Sequence, residues 1–150
     1  IEHLESITNV MDVELQYMAR VKEAKKGVIV AGAGPGLGAL QVRKQIKDNV
    51  QLYVGDISPE MIGVSKSVFV KNGIDIESQD SKTTIKVIDN VNLTLPTGCC
   101  DRYLANLSWM FVPDTQKQAD EAFRVLDEDG IAAFSVWGRE SRCSDITIPL

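Results

Sequence analysis

The chain has 150 residues, enough for one domain around a single buried core. Its 44% hydrophobic and 25% charged residues are ordinary for a soluble globular protein, and a net charge of −5 argues against a bare nucleic-acid-binding surface. No apolar run approaches the roughly 20 residues needed to cross a bilayer. The expectation is therefore a cytoplasmic protein with no nucleic-acid and no membrane partner. Cys99, Cys100 and Cys143 are odd in number and two are adjacent, so they read as reduced thiols rather than a disulfide framework. His3 is the only histidine and the cysteines have no second cluster, so no metal site is expected. The chain opens on Ile1 and stops at Pro149–Leu150 just after an extended segment, which reads as a fragment or as the ordered part of something longer.

Ile1, Leu4, Ile7, Met11, Leu15, Met18 and Val21 recur every three or four positions. That spacing predicts an amphipathic helix running into the basic stretch Lys22, Lys25, Lys26. Gly27–Ala31 reads as a first strand, followed by glycines at 32, 34, 36 and 38 and a helix through about Asp48. Gln51–Gly55 is a second strand. Ser58 then supplies an N-cap, Pro59 the first helical position and Glu60 an acidic first turn, with Asn72-Gly73 as the stop. Thr84–Ile88 is the third strand, and 74–82 is an irregular connection. Asp101–Leu107 is a fourth strand, Asp114–Leu126 a helix ending at Asp129-Gly130, and Ile131–Trp137 a fifth strand. Strands alternating with helices imply an α/β, Rossmann-like, doubly wound parallel sheet with right-handed crossovers.

Chemistry concentrates at the strand ends. Glycines 32, 34 and 36 after a hydrophobic strand let the main chain press against a ligand, at the turn where nucleotide-like cofactors sit in open α/β sheets. Gly34, Gly36 and Ala39 also fit the G-x-G-x-x-A form of the dinucleotide fingerprint, so a nicotinamide or flavin domain is a rival reading. Asp56, about 20 residues on, is placed to accept bonds from both hydroxyls of a ribose. Asp89-Asn90 stands where an acid can accept from an exocyclic amine, with Asp80 as the competing position.

AGAGPG, YVGDISPEM, VIDNVNLTLP, the CCD turn and EAFRVLDEDGIAAFSVWG together resemble a class I S-adenosylmethionine-dependent methyltransferase. The likeness is to the small-molecule type that includes quinone-biosynthesis enzymes, and it runs from Val28 to Gly138. The resemblance implies S-adenosyl-L-methionine as cofactor and a small-molecule methyl acceptor. Gly32, Ala33, Gly34 and Gly36 would pass beneath the methionine part. Asp56 would hold the ribose, Ile57 and Met61 would lie near the adenine, and Asp89 and Asn90 would bind its edge. Asn106, with Leu107 beside it, would face the methionine moiety and the acceptor. Tyr17, Trp109 and Trp137 are further candidates for the acceptor pocket, and the first 26 residues for a lid over it. No catalytic residue is assigned. The sequence departs from the family in two ways. Val30 stands where many members carry an acid two residues before the first glycine, so the methionine ammonium must be anchored elsewhere. The family's last two strands have no counterpart before the end of the chain. A non-catalytic methyltransferase-like binding protein is the third reading.

Overall fold

The computed structural model describes residues 2–137, with side chains from Asn9 onward. Gly138, Cys143 and the Pro149–Leu150 end lie outside the described residues, and so does the side chain of His3.

All five residues of β1 (Gly27–Ala31) are buried, a pattern that requires both faces of the sheet to be covered. Val28 and Val30 point into a core layer shared with Leu15 and Ala19 of α1 (Glu2–Met18), Ala39, Leu40 and Val42 of α2 (Leu37–Gln45), and Ile62 and Phe69 of α3 (Pro59–Lys71). Ile29 and Ala31 point the other way, to Ala122 and Val125 of α4 (Thr115–Val125). Each such Val or Ile contributes about 1.5–3 kcal/mol on burial. The sheet has the order β3-β2-β1-β4-β5, with every pairing parallel. Its other strands are β2 (Gln51–Asp56), β3 (Thr83–Val87), β4 (Cys100–Asn106) and β5 (Leu126–Ser135). From β1 the chain winds outward through β2 and β3, then returns to lay β4 along the other side of β1. That reversal opens a crevice above the carboxyl ends of β1 and β4.

α3 follows its sequence signals closely. Ser58 Oγ accepts the Met61 N–H (3.2 Å), Pro59 opens the helix, and Gly73 (φ 73°) leaves it after Asn72. Three expectations shift. The first helix ends at Met18, because Arg20 takes a left-handed conformation (φ 51°, ψ 48°) and the chain continues as one 3-10 turn, Val21–Glu23. Met18, expected on the apolar face, is 70% exposed, and Ala19 and Ala24 fill the core instead. α2 stops at Gln45 rather than near Asp48. The buried Arg43 guanidinium donates to the carbonyls of Lys47 and Val50, and so holds that stretch in a turn. β5 begins at Leu126, five residues early. Leu126 pairs with Cys100 and Ile131 with Arg102, so the Asp129-Gly130 break lies inside a bulge instead of before the strand.

At the amino-terminal edge of the sheet, buried Asp101 accepts the N–H groups of Lys25 (2.7 Å), Lys26 (3.3 Å) and Gly27 (3.1 Å), which fixes the chain as it enters β1. Cys99 and Cys100 are free thiols at that same edge, and burial pushes the Cys100 thiol well up. Cys100 is therefore not poised as a nucleophile.

Candidate functional site

The glycine turn is shaped by what packs on it. A Cβ on Gly32 (φ 68°) would stand 2.3 Å from Ser108 Cβ, and one on Gly36 (φ 83°) would stand 2.6 Å from Ser65 Oγ. Ser108 Oγ donates to the Ala31 carbonyl (3.1 Å) and Ser65 Oγ to that of Gly34 (2.9 Å). Two hydroxyls thus staple the turn from opposite sides. Among the described residues the first turn of α2 carries no side-chain cap, and its residues Leu37, Gly38 and Ala39 line the crevice.

Asp56 closes the turn from β2. Its Oδ2 accepts the Gly34 N–H (2.8 Å) and its Oδ1 the Ser58 N–H (2.9 Å). Each oxygen keeps a lone pair for a further donor. Ile57 (70% exposed) and Met61 (39%) flank it on the open side. Beyond β3, Ile88 N donates to the Asp56 carbonyl (3.0 Å), which brings Asp89-Asn90 beside Asp56. Asp80 falls before β3 in the irregular connection, at the far edge of the sheet, so it is not part of this group. Within the pair the roles divide. Asp89 is exposed and its carboxylate accepts the Val91 N–H (3.0 Å), whereas Asn90 is buried and its Nδ2 lies 3.6 Å from a Cβ built on Gly32. The Asn90 Oδ1 is buried, and among the described residues no donor reaches it.

The far wall comes from β4 and α1. Asn106, ending β4, accepts from Ser135 Oγ and donates through Nδ2 to Asp12 Oδ1 (2.8 Å). Leu107 follows in a left-handed conformation (φ 50°), its N–H shared between the carbonyl (3.2 Å) and the hydroxyl (3.0 Å) of Ser135. This unfavourable backbone geometry for a leucine turns Ser108 onto Gly32. Asp12 lies flat against α2, where a Cβ on Gly38 would meet its carboxyl carbon at 2.6 Å. Burial raises the Asp12 carboxyl to about 6, with the Asn106 hydrogen bond pulling the other way.

These groups enclose a cavity of about 210 Å³ lined by Asn9 and Asp12, Val30, the turn from Gly32 to Pro35, the start of α2 and Asn106. Of the residues expected from sequence, it gathers Gly32, Ala33, Gly34 and Asn106. Asp56 and Asn90 adjoin it through the turn, Gly36 lies behind it against Ser65, and Ile57, Met61, Asp89 and Leu107 stand outside its lining. Tyr17 is 84% exposed, and Trp109 stacks on Phe134 at 4.5 Å; neither they nor Trp137 line the cavity. The sequence reading missed Asp12, Ser65, Ser108 and Ser135. Only Asp12 left a trace, as an acid three and four residues before Leu15 and Gln16, on their face of the helix.

The arrangement fits an adenosyl cofactor with an amino-acid tail: a main-chain cradle, a carboxylate at the end of β2 and an orphaned buried carbonyl on Asn90. A methyltransferase domain profile matches residues 29–134. The chain belongs to the methyltransferase domain family. As a methyltransferase domain of the S-adenosylmethionine-dependent kind, it takes S-adenosyl-L-methionine as its cofactor, and the dinucleotide reading is not favoured. It is 30% identical over 105 residues to 2-methyl-6-phytyl-1,4-hydroquinone methyltransferase 1 of Oryza sativa subsp. japonica, covering 70% of this chain and 29% of that protein. It is 29% identical over 119 residues to the ubiquinone/menaquinone biosynthesis C-methyltransferase UbiE of Rickettsia bellii, covering 77% and 46%. The chain therefore spans less than half the length of these curated relatives. A putative S-adenosyl-L-methionine-dependent methyltransferase from Methanococcus maripaludis superposes with a TM-score of 0.71 at 17% identity, over 90% of this chain and 61% of that one. YcgJ of Bacillus subtilis gives 0.68 at 23%, over 80% and 48%. Both share the methyltransferase fold. Among the described residues no helix is long and apolar enough to cross a membrane, and no group of three His, Cys, Asp or Glu is arranged to hold a metal.

Proposed function

We propose that this chain is the donor-binding domain of an enzyme that transfers a methyl group from S-adenosylmethionine to a small-molecule acceptor. The crevice at the β1/β4 reversal carries this reading, because it joins an unobstructed main-chain turn to the Asp56 carboxylate. The bound cofactor supplies an already activated methyl group on a sulfonium. The protein's own part is alignment and exclusion of water, and alignment alone supplies several kcal/mol. Gly32, Ala33, Gly34 and Gly36 form the floor for the tail. Asp56 takes the ribose hydroxyls with its remaining lone pairs, Ile57 and Met61 cover the adenine, and Asp89 and Asn90 meet its edge. Asn106 and Leu107 mark the acceptor side. Residues 1–26 act as a cover over the domain that follows, since Asn9 and Asp12 of α1 line the cavity.

The curated relatives are named for hydroquinone and for ubiquinone and menaquinone substrates. A hydroquinone ring is therefore the first acceptor class to test. Calorimetry with S-adenosylhomocysteine and with NADH separates the donor readings: binding of the first and not the second is expected, and the reverse result refutes the proposal. Label transfer from methyl-labelled donor to a short-chain hydroquinone then tests the reaction. Slower hydrogen exchange in α1 on adding S-adenosylhomocysteine tests the cover.

A further inference from the structure

Asp12 is half-buried and lines the cavity with few partners for a carboxylate. Among the described residues one donor reaches it, Asn106 Nδ2 at 2.8 Å, and that donor is locked by Ser135 on its other side. It does not cap α2. It lies against the Gly38 Cα and accepts none of the first-turn N–H groups. Among the described residues no other residue lining the cavity is charged, and Val30, 7% exposed, offers only methyl groups where the end of β1 meets it. The cavity thus holds a full negative charge on one wall and the positive end of a helix, with its uncapped N–H groups, on the next. Opposite charges a few ångströms apart suit a zwitterion, whose ammonium faces the acid and whose carboxylate faces the helix.

We propose that Asp12 anchors the α-ammonium of the cofactor's methionyl tail, a binding residue contributed from α1 and outside the sheet. The assignment rests on the adenosyl-donor reading of the crevice and specifies which group completes it. Asn106 positions Asp12, and Gly38 admits it. A charged hydrogen bond in a partly buried site makes an under-coordinated acid a strong receptor for a cation.

The test compares two ligands that share the nucleoside and differ in the tail: S-adenosylhomocysteine and 5′-methylthioadenosine, which lacks the amino-acid group. In calorimetric titrations at pH 7.5, Asp12→Asn is expected to weaken S-adenosylhomocysteine about 10- to 100-fold, the scale of a lost charged hydrogen bond. Methylthioadenosine should stay within about twofold. Equal weakening of both ligands would show a merely structural carboxylate and overturn the proposal. Unchanged affinity for both, with loss of methyl transfer alone, would make Asp12 a proton acceptor and overturn it equally. The wild type gives the same answer without a variant. Its affinity for S-adenosylhomocysteine should fall as pH is lowered through about 6, where Asp12 takes up a proton, while methylthioadenosine stays level. Among the described residues the facing groups on α2, β1, β4 and β5 are Gly38, Val30, Asn106 and Ser135, none of which titrates in that range. Should wild-type protein bind neither compound, the adenosyl reading itself fails and takes this one with it. Binding of both with no difference at Asp12→Asn removes only the anchor.

Discussion

Two carboxylates face the same crevice from opposite sides, and they are held in opposite ways. Asp56 accepts two main-chain N–H groups, from Gly34 and Ser58, and so builds the turn that it borders. Among the described residues Asp12 accepts one side-chain N–H and no main-chain N–H, and it is pushed by burial to about 6. The first is satisfied before any ligand arrives; the second is left short of donors. A fold can recover the cost of Asp56 by itself, but that of Asp12 only when something cationic binds. Stability and binding should therefore separate on the two sides.

The largest effect tests the floor that both share. Gly32→Ala places a Cβ 2.3 Å from Ser108 Cβ at a φ of 68°, and should cost about 3 kcal/mol or more in urea unfolding. Asp56→Ala leaves two N–H groups without their acceptor. It should cost about 2 kcal/mol of stability and weaken S-adenosylhomocysteine by about 1–3 kcal/mol, by denaturation and calorimetry respectively. A variant that lost binding but no stability would break the comparison.

Asp12→Asn should move the two quantities apart. A carboxyl whose folded value is raised from 3.8 to about 6 binds more protons folded than unfolded across that interval, so its contribution to stability falls as pH rises through it. That rise is worth up to about 3 kcal/mol, and solvent access and the nearby helix terminus reduce it to about 1 kcal/mol. Thermal unfolding should find Asp12→Asn more stable than wild type at pH 7.5 by that amount and equal to it below about pH 4. Last, Gly73→Ala, far from the crevice at a left-handed helix stop (φ 73°) with open space around it, should cost about 1 kcal/mol and leave ligand affinity untouched.

The side that could be read from sequence is the one assembled from neighbours in the chain. The glycine turn, Ser58-Pro59 and Asp56 act on main-chain groups within a few tens of residues, and strand and cap signals locate those groups. Ser65 and Ser108 were invisible because a serine in a helix or after a strand carries no mark of what it will face. Asp12 and Asn106 are 94 positions apart, and only the return of the chain to lay β4 beside β1 joins them. The first helix was misjudged at its end for a related reason. The apolar spacing continues through Val21, but the helix ends at Met18, which stands on its exposed side, and the left-handed step at Arg20 separates the helix from the turn that carries Val21 into the core.

The contact between α1 and α2 leaves no room for a methyl group while the acid lies where it does: a Cβ at position 38 would meet the Asp12 carboxyl carbon at 2.6 Å, so any side chain there displaces the carboxylate. An aligned set of relatives should accordingly lean to two kinds, one with the acid on strand one and freedom at the second residue of the following helix, the other with an uncharged strand end and a preference for glycine there. The pair would co-vary as a unit, and a lineage could pass from one kind to the other only by way of a donor site temporarily without its counter-charge.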